Sequence, residues 1–416
     1  MSEADVCVVG GGLAGKVAAL AAARADGGAS VTLVTEPGPD LRDTGGLVDV
    51  LGYTPGGRGP LVNPFWALDD LPETHPYAVV GEGMLRDGLA LFDDVVGDSY
   101  GGGDTDRNAL VPTAFGRLRP TGRYPRSVEA GLASERRETM LLGFKRLPSF
   151  DGPPAADRLE AVVPYRVDGF NVDFPSETED RVEMAEFLDE NPVASTGNPA
   201  RESLAASARI YQSSEKRIGF PAVLGLERHR EIRRQFEDAL DVRVFEVPAG
   251  SPSVPGMRLD SQFDAALASA GVSVEREATV TGAETGDGHV DSVRLSSGET
   301  VTASQFVLAT GGLAEGGLAS TRTTVTEPLF DCHVDAPDDR GEWAERDPFG
   351  DHAFARFGVS VDDGLRPLGA DDVSAFGNLR AAGRVLGGFD YAAENSGGGV
   401  AVATGYAAGL RAAETV

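Results

Sequence analysis

Gly10-Gly11-Gly12-Leu13-Ala14-Gly15 follows directly on the apolar, β-branched run Val6 to Val9 and opens an alanine-rich helical stretch that reaches Ala25. That spacing serves phosphate binding. Gly10 permits the tight turn, Gly12 lets the backbone approach a pyrophosphate, and Gly15 lets the helix pack on the strand. Leu13 and Ala14 then begin a helix whose free amides and positive dipole face the phosphates. A second strand, Val31 to Val34, comes after a Gly27-Gly28 turn. Strand, glycine turn, helix and strand within about 30 residues form the mononucleotide-binding unit. Such a unit ends its second strand near an acid that holds ribose hydroxyls, about 20 residues on. Thr35 stands in register there and Glu36 lies one step beyond, so either could serve.

Three more glycine clusters come after the first. Thr44-Gly45-Gly46 lies soon after the second strand, where small residues would allow close contact along an isoalloxazine edge. Thr310-Gly311-Gly312 ends a later strand. Gly383, Gly387, Gly388 and Asp390 lead into Gly397-Gly398-Gly399-Val400, a triple glycine opening a terminal helix with its oriented amides. Taken singly each is an ordinary turn. Four of them in this order argue for a flavoprotein.

The elements needed to position these loops are readable. Met257 to Ala270 is an amphipathic helix, with Leu259, Phe263, Ala266, Leu267 and Ala270 on one face. Apolar runs at Val272 to Val280, His289 to Leu295, Thr300 to Thr302 and Gln305 to Ala309 read as strands, with Ser297-Gly298 a hairpin turn. Ser176 with Glu179 reads as a capping box before Val182 to Asp189, and Glu227 to Leu240 as a charged helix. The expected architecture is α/β, a Rossmann-like flavin-binding domain with an inserted α+β cap domain. Its parts are residues 1–115 and 253–416 for the flavin domain and 116–252 for the cap.

The 416 residues carry 65 acids against 37 bases, a net charge of −28 and a pI near 4.5. So negative a surface repels phosphodiester backbones and anionic membrane faces, which excludes nucleic acid as a partner. Three of the bases are lysines, Lys16, Lys145 and Lys216, and the other 34 are arginines. Deep acidity with arginine in place of lysine fits a cytoplasm at molar salt, where screening shrinks to roughly 3 Å. Flavin loss and unfolding on dilution are expected. Cys7 and Cys332 are too few for an iron–sulfur cluster, so a cluster would sit on another chain; no metal site, signal peptide or membrane span is readable.

Val9 to Gly15, Gly45 to Leu51, Phe220 to Leu226, Pro252 to Leu259, Val385 to Asp390 and Glu394 to Val400 together resemble the B subunit of anaerobic glycerol-3-phosphate dehydrogenase. That family is a distant relative of the fumarate reductase flavoprotein group. The resemblance implies a chain working with a larger flavoprotein subunit, and with an iron–sulfur subunit. Together they oxidise sn-glycerol 3-phosphate to dihydroxyacetone phosphate, with electrons reaching membrane quinone. The chain would then sit at the inner face of the membrane through one of these partners. The resemblance also implies FMN, whereas the GxGxxG unit suits the ADP half of FAD. The wider group attaches flavin through a histidine near the position of Asp43 or Thr44; none stands here, so a non-covalent flavin is expected. That group's C-terminal Gly-Glu pair is replaced by Gly383-Arg384.

Oxidising a secondary alcohol needs a hydride acceptor, a base and cations for the substrate phosphate. Arg117, Arg119, Arg123 and Arg126 are the candidates for the phosphate, against the alternative of surface arginines paired with acids. The catalytic base is unknown: His333 and His352 are guesses, and His75, His229 and His289 read, like them, as surface or packing residues. Three functions stay open, namely a catalytic subunit, a non-catalytic flavin relay or assembly subunit, and a free-standing fumarate-reductase-like enzyme.

Overall fold

The computed structural model describes residues 2–38, 40–276, 278–348 and 350–416. Met1, at the expected acidic start, and Glu277, inside the expected run Val272 to Val280, lie outside the described residues. The chain divides into two compact units, one of residues 1–40, 49–97 and 262–416 and the other of 41–48 and 98–261.

The first unit is built on a mixed sheet. Strand Ser2–Val9 lies parallel between Val31–Val34 and Thr300–Leu308, and Ser273–Glu275 adds a fourth parallel strand beyond Val31–Val34. Leu379–Ala381 pairs with the carboxyl end of Thr300–Leu308, also in parallel. Along the first strand Val6, Cys7, Val8 and Val9 are all buried, as expected of a strand covered on both faces. The register brings the strand ends level. Val9 is opposite both Val34 and Leu308, and Leu308 is opposite Ala381. Gly10, Thr35, Ala309 and Ala382 therefore leave the sheet side by side at its carboxyl edge, where ligands of open α/β sheets bind.

Antiparallel strands Val280–Gly286 and His289–Leu295 complete the sheet as a meander. Two sequence expectations change here. Thr300 to Thr302 and Gln305 to Ala309 are a single strand, Thr300–Leu308; their polar interruption is tolerated because Gln305 pairs with the buried Arg380 guanidinium at 2.6 Å. The run Val272 to Val280 divides into two strands that pair with different partners, since Ser273–Glu275 joins Val31–Val34 and Val280 begins the meander. Ser297-Gly298 does form the expected hairpin turn, with Gly298 at φ 86°.

Helix Leu13–Arg24 buries its alanine face against the closing helix Gly397–Ala413. The two backbones approach closely because Gly405 and Gly409 carry no side chain; a Cβ on either would collide with the carbonyl of Ala14 or Ala18. The closing helix begins at the triple glycine, as its sequence suggests.

The second unit carries its own parallel sheet, in the order Arg243–Val247, Arg217–Pro221, Thr139–Phe144, Val167–Val172. Met140, Leu142 and Phe220 serve a core on one face, and Leu141, Phe150 and Phe245 another core. Helix His229–Leu240 buries Ile232, Phe236 and Leu240, four residues apart, and leaves its charges outside. Helix Arg181–Glu190 is capped by Asp180, whose carboxylate accepts from Val182 and Glu183 amides at 2.7 and 3.1 Å. The expected Ser176 box is displaced because Asp180 stands directly before the helix, where an N-cap must be.

Candidate functional site

The glycines of the first loop do different work. Gly10, at φ 113°, sits so close to the neighbouring strand that a Cβ would collide with the Ala309 carbonyl, and one on Gly15 would strike the carbonyl of Gly10. Gly12 faces open space, with nothing within 4 Å of where a Cβ would stand. It is also the N-cap of Leu13–Arg24, with no side-chain cap and no acid in the first turn. The helix thus presents its N-terminal amides uncapped beside a gap in the surface. Thr310, on the neighbouring strand end, has a buried hydroxyl oxygen with no hydrogen-bond partner among the described residues. An open glycine face, uncapped amides and an orphaned hydroxyl fit the phosphates of a nucleotide cofactor.

At the end of the second strand, Thr35 is buried and Glu36 exposed. The Thr35 hydroxyl bonds the Asp40 carboxylate. A Cβ on Gly11 would collide with both side chains, so Asp40 lies directly over the glycine loop. Around it stand two cations. Lys16 Nζ, fully buried, is 3.2 Å from Asp40 Oδ2 and 2.6 Å from Asp264 Oδ1; Arg276 is 3.6 Å from Asp40 and 2.7 Å from Asp264. Two carboxylates alternate with two cations, so the charges compensate locally. Asp40, Lys16, Asp264 and Arg276 were missed from sequence. The available signal was Lys16, one of three lysines, placed directly after Gly15.

At the fourth glycine cluster a Cβ on Gly383, at φ 77°, would meet Ala14 Cβ at 2.7 Å, so this cluster closes on the first loop. Gly387 packs on Gly358, and Gly388 on the Thr74 carbonyl. Asp390 accepts amides of Ala392 and Ala393 at 3.0 and 2.9 Å, capping the short helix Tyr391–Glu394. Glu394 is buried. One of its carboxylate oxygens accepts the Asp390 amide at 3.0 Å, and the other the Ser396 hydroxyl at 3.1 Å and His75 Nε2 at 3.1 Å. His75 Nδ1 accepts the Tyr77 amide at 3.0 Å, so the proton is on Nε2. Both nitrogens are committed, which removes His75 as a catalytic base. Tyr77 donates to the Val50 carbonyl, and burial, with Glu394 and Asp49 nearby, holds its phenol well above the usual range. Gly399 donates to the Asp49 carbonyl at 2.8 Å and Val400 to that of Ser396 at 2.9 Å; Gly397 faces Arg384, and Gly398 continues the same first turn.

The remaining candidates belong to the second unit. Thr44 donates to the Leu41 carbonyl at 2.9 Å, Gly45 faces open space, and Gly46, at φ 71°, packs on Pro255. Arg123 is buried and donates to the carbonyls of Gly102 and Gly122 at 2.9 and 3.0 Å. Arg126 pairs with Glu129 at 2.6 Å, and Arg117 and Arg119 are exposed. The four arginines thus face different surroundings. His229 is held down to about 4 by burial, with Arg258 adding to the effect, and stays neutral. Arg258 itself forms a buried fork with Glu246, at 2.6 and 2.9 Å.

His333 is exposed, and His352 has Nδ1 accepting the Glu345 amide at 3.1 Å with Nε2 at 3.2 Å from the Pro348 carbonyl. Burial pushes the Cys7 thiol up to about 12, leaving it inert. Among the described residues no group of three or more His, Cys, Asp or Glu could hold a metal ion, and no helix is long and apolar enough to cross a membrane.

The FAD binding domain family matches residues 5–400. The chain is 48% identical over 424 residues to a probable anaerobic glycerol-3-phosphate dehydrogenase B subunit of Halobacterium salinarum, covering 100% of this chain and 99% of that protein. It is 27% identical over 439 residues to the anaerobic glycerol-3-phosphate dehydrogenase B subunit of Vibrio cholerae, covering 98% and 95%. Among solved structures, a 3-ketosteroid-delta4-(5alpha)-dehydrogenase from Rhodococcus jostii aligns over 99% of this chain and 97% of that one, with 14% identity and a TM-score of 0.41. With a full-length match at 48% identity and the FAD binding domain spanning residues 5–400, this chain belongs to the family of anaerobic glycerol-3-phosphate dehydrogenase B subunits, within the FAD-binding flavoproteins.

Proposed function

We propose that this chain is the flavin-bearing subunit of a complex that oxidises sn-glycerol 3-phosphate to dihydroxyacetone phosphate and passes the electrons towards quinone. The observation that carries the reading is the alignment of three glycine loops, at Gly10, Thr310 and Gly383, on adjacent strand ends of one sheet. A bound flavin supplies the two-electron acceptor for the alcohol carbon. The chain's own part is to seat it. Amides of Leu13 and Ala14 and the open face of Gly12 take the phosphates, the Thr310 hydroxyl supplies a further donor, and Gly383 closes the groove. Thr35 and Asp40, just beyond the second strand, would hold the ribose hydroxyls. A complete dinucleotide loop with polar groups beyond it favours non-covalent FAD over FMN. Acid extraction and mass measurement of the flavin would give FAD at one per chain; FMN alone would refute this assignment.

The committed nitrogens of His75 and His352 favour a second reading, in which the flavin relays electrons and another subunit oxidises the substrate. Purifying the chain alone in molar salt and assaying glycerol 3-phosphate with a dye acceptor separates the two, since turnover removes the relay. A purified chain devoid of flavin would remove both. We place the chain in the cytoplasm, beside an iron–sulfur subunit, and beside a larger flavoprotein subunit. Its net charge of −28 disfavours direct contact with anionic lipid, so attachment at the membrane's inner face would run through a partner.

A further inference from the structure

Glu315 stands at the tip of the tight turn that comes after the third glycine loop, and its carboxylate is held as a bound anion would be. Oε2 accepts the Gly312 amide at 3.0 Å, and Oε1 accepts from Arg384 Nη1. The Arg384 guanidinium is fixed from another side by the ring of Tyr391, 4.1 Å away. A Cβ on Gly397 would lie 3.6 Å from Arg384 Nε, which brings the first turn of the 17-residue closing helix beside the same cation. One backbone N–H and one guanidinium nitrogen thus hold the carboxylate, the first turn of the closing helix lies beside that arginine, and the carboxylate contributes two oxygens where a phosphoryl group has three.

We propose that Arg384 and the Gly312 amide form an oxyanion site for a phosphate monoester, and that Glu315 occupies it until such a group displaces it. Arginine binds carboxylate and phosphate with the same two-pronged geometry, and a dianionic phosphate gains more from the cation and the helix dipole than a carboxylate does. Displacement is easy, because both side chains are about a third exposed and an exposed ion pair contributes little to stability. The turn does not depend on the carboxylate, since the amides of Gly317 and Leu318 both return to the Gly312 carbonyl. Arg384 follows Gly383, which touches Ala14 of the first loop, so the site adjoins the cofactor groove. The proposal rests on the flavin reading of these loops. The phosphate could be that of the flavin or that of the substrate.

The test titrates the full chain in molar potassium chloride with inorganic phosphate, followed by phosphorus NMR, before and after flavin loading. Glu315→Gln should tighten phosphate binding roughly tenfold, Arg384→Gln should weaken it by a similar factor, and Arg384→Lys should restore part of it. Unchanged or weaker binding in Glu315→Gln, with an unaltered circular dichroism spectrum, would overturn the site. If loading with flavin abolishes phosphate binding, the site holds the flavin phosphate; if binding persists and glycerol 3-phosphate competes, it holds the substrate's. The two readings fail separately, because flavin content is read from the absorption spectrum and phosphate affinity from the flavin-free chain.

Discussion

Lys16 Nζ lies 2.6 Å from the Asp264 carboxylate, although Lys16 is fully buried within the first helix and the two residues are 248 positions apart in sequence. The pair ties the glycine loop's helix to the helix Val254–Ser269, and Asp40 and Arg276 complete an alternating set of charges. Lys16→Met would leave two carboxylates sharing Arg276. It should cost about 3 kcal/mol, the lower end for removing one partner of a buried pair, since Asp264 retains some solvent. Thermal unfolding at fixed potassium chloride measures this, and Asp264→Asn should cost less than half as much.

Glycines of the first loop should separate folding from flavin binding. Gly12→Ala adds a methyl group to open space and should leave stability within about 0.5 kcal/mol while lowering flavin affinity at least tenfold. Gly10→Ala must adopt φ 113° and strike the Ala309 carbonyl, and should destabilise by about 2 kcal/mol or more. Melting of the flavin-free chain, beside fluorescence titration with flavin, distinguishes them. Equal flavin affinity in Gly12→Ala and wild type would count against the phosphate cradle.

Glu394 holds the loop before the closing helix from three sides, through His75, Ser396 and the Asp390 amide. Glu394→Ala strands those donors in the interior and should cost about 3 kcal/mol. Glu394→Gln keeps an acceptor but sets an amide against at least one donor, and should fall between. Hydrogen exchange at Gly397 to Val400 should accelerate in both variants, in the same order.

His229 gives a pH dependence with a definite sign. Its ordinary value is 6.5 and the fold holds it near 4, so its contribution to stability is present above pH 6.5. It is lost as pH falls towards 4, because the unfolded chain takes up the proton and the folded chain refuses it. The slope approaches about 1.4 kcal/mol per pH unit at most. His229→Asn should flatten the stability curve between pH 6.5 and 5 relative to wild type, as urea unfolding at several pH values would measure.

Local patterns made much of this legible in the sequence. The first βαβ unit, the Ser297-Gly298 hairpin and the closing helix announce themselves through period, turn residues and glycine spacing, whereas the run Val272 to Val280 hides two strands and the stretch Thr300 to Ala309 only one. Pairings across long separations did not show. Thr35 and Glu36 are visible from their place at the strand end, whereas Asp40, which reaches back over Gly11 from the loop beyond, carries no local signal. His75 reads as an isolated histidine until the fold brings it to Glu394, 319 positions away. The helix cap at Asp180 was obscured by a competing serine motif, since several acids near a helix start all satisfy the same local rule.

The burial of Lys16 leaves two described lysines, Lys145 and Lys216, with their side chains on the surface. An amine-reactive label applied to the native chain would modify those two quickly and Lys16 slowly. The delay at Lys16 would measure how often the charge set it shares with Asp40 and Asp264 opens. A ligand that binds only the folded chain and steadies the loop beneath Asp40 would lengthen that delay, so one peptide mass could report occupancy without any spectroscopy.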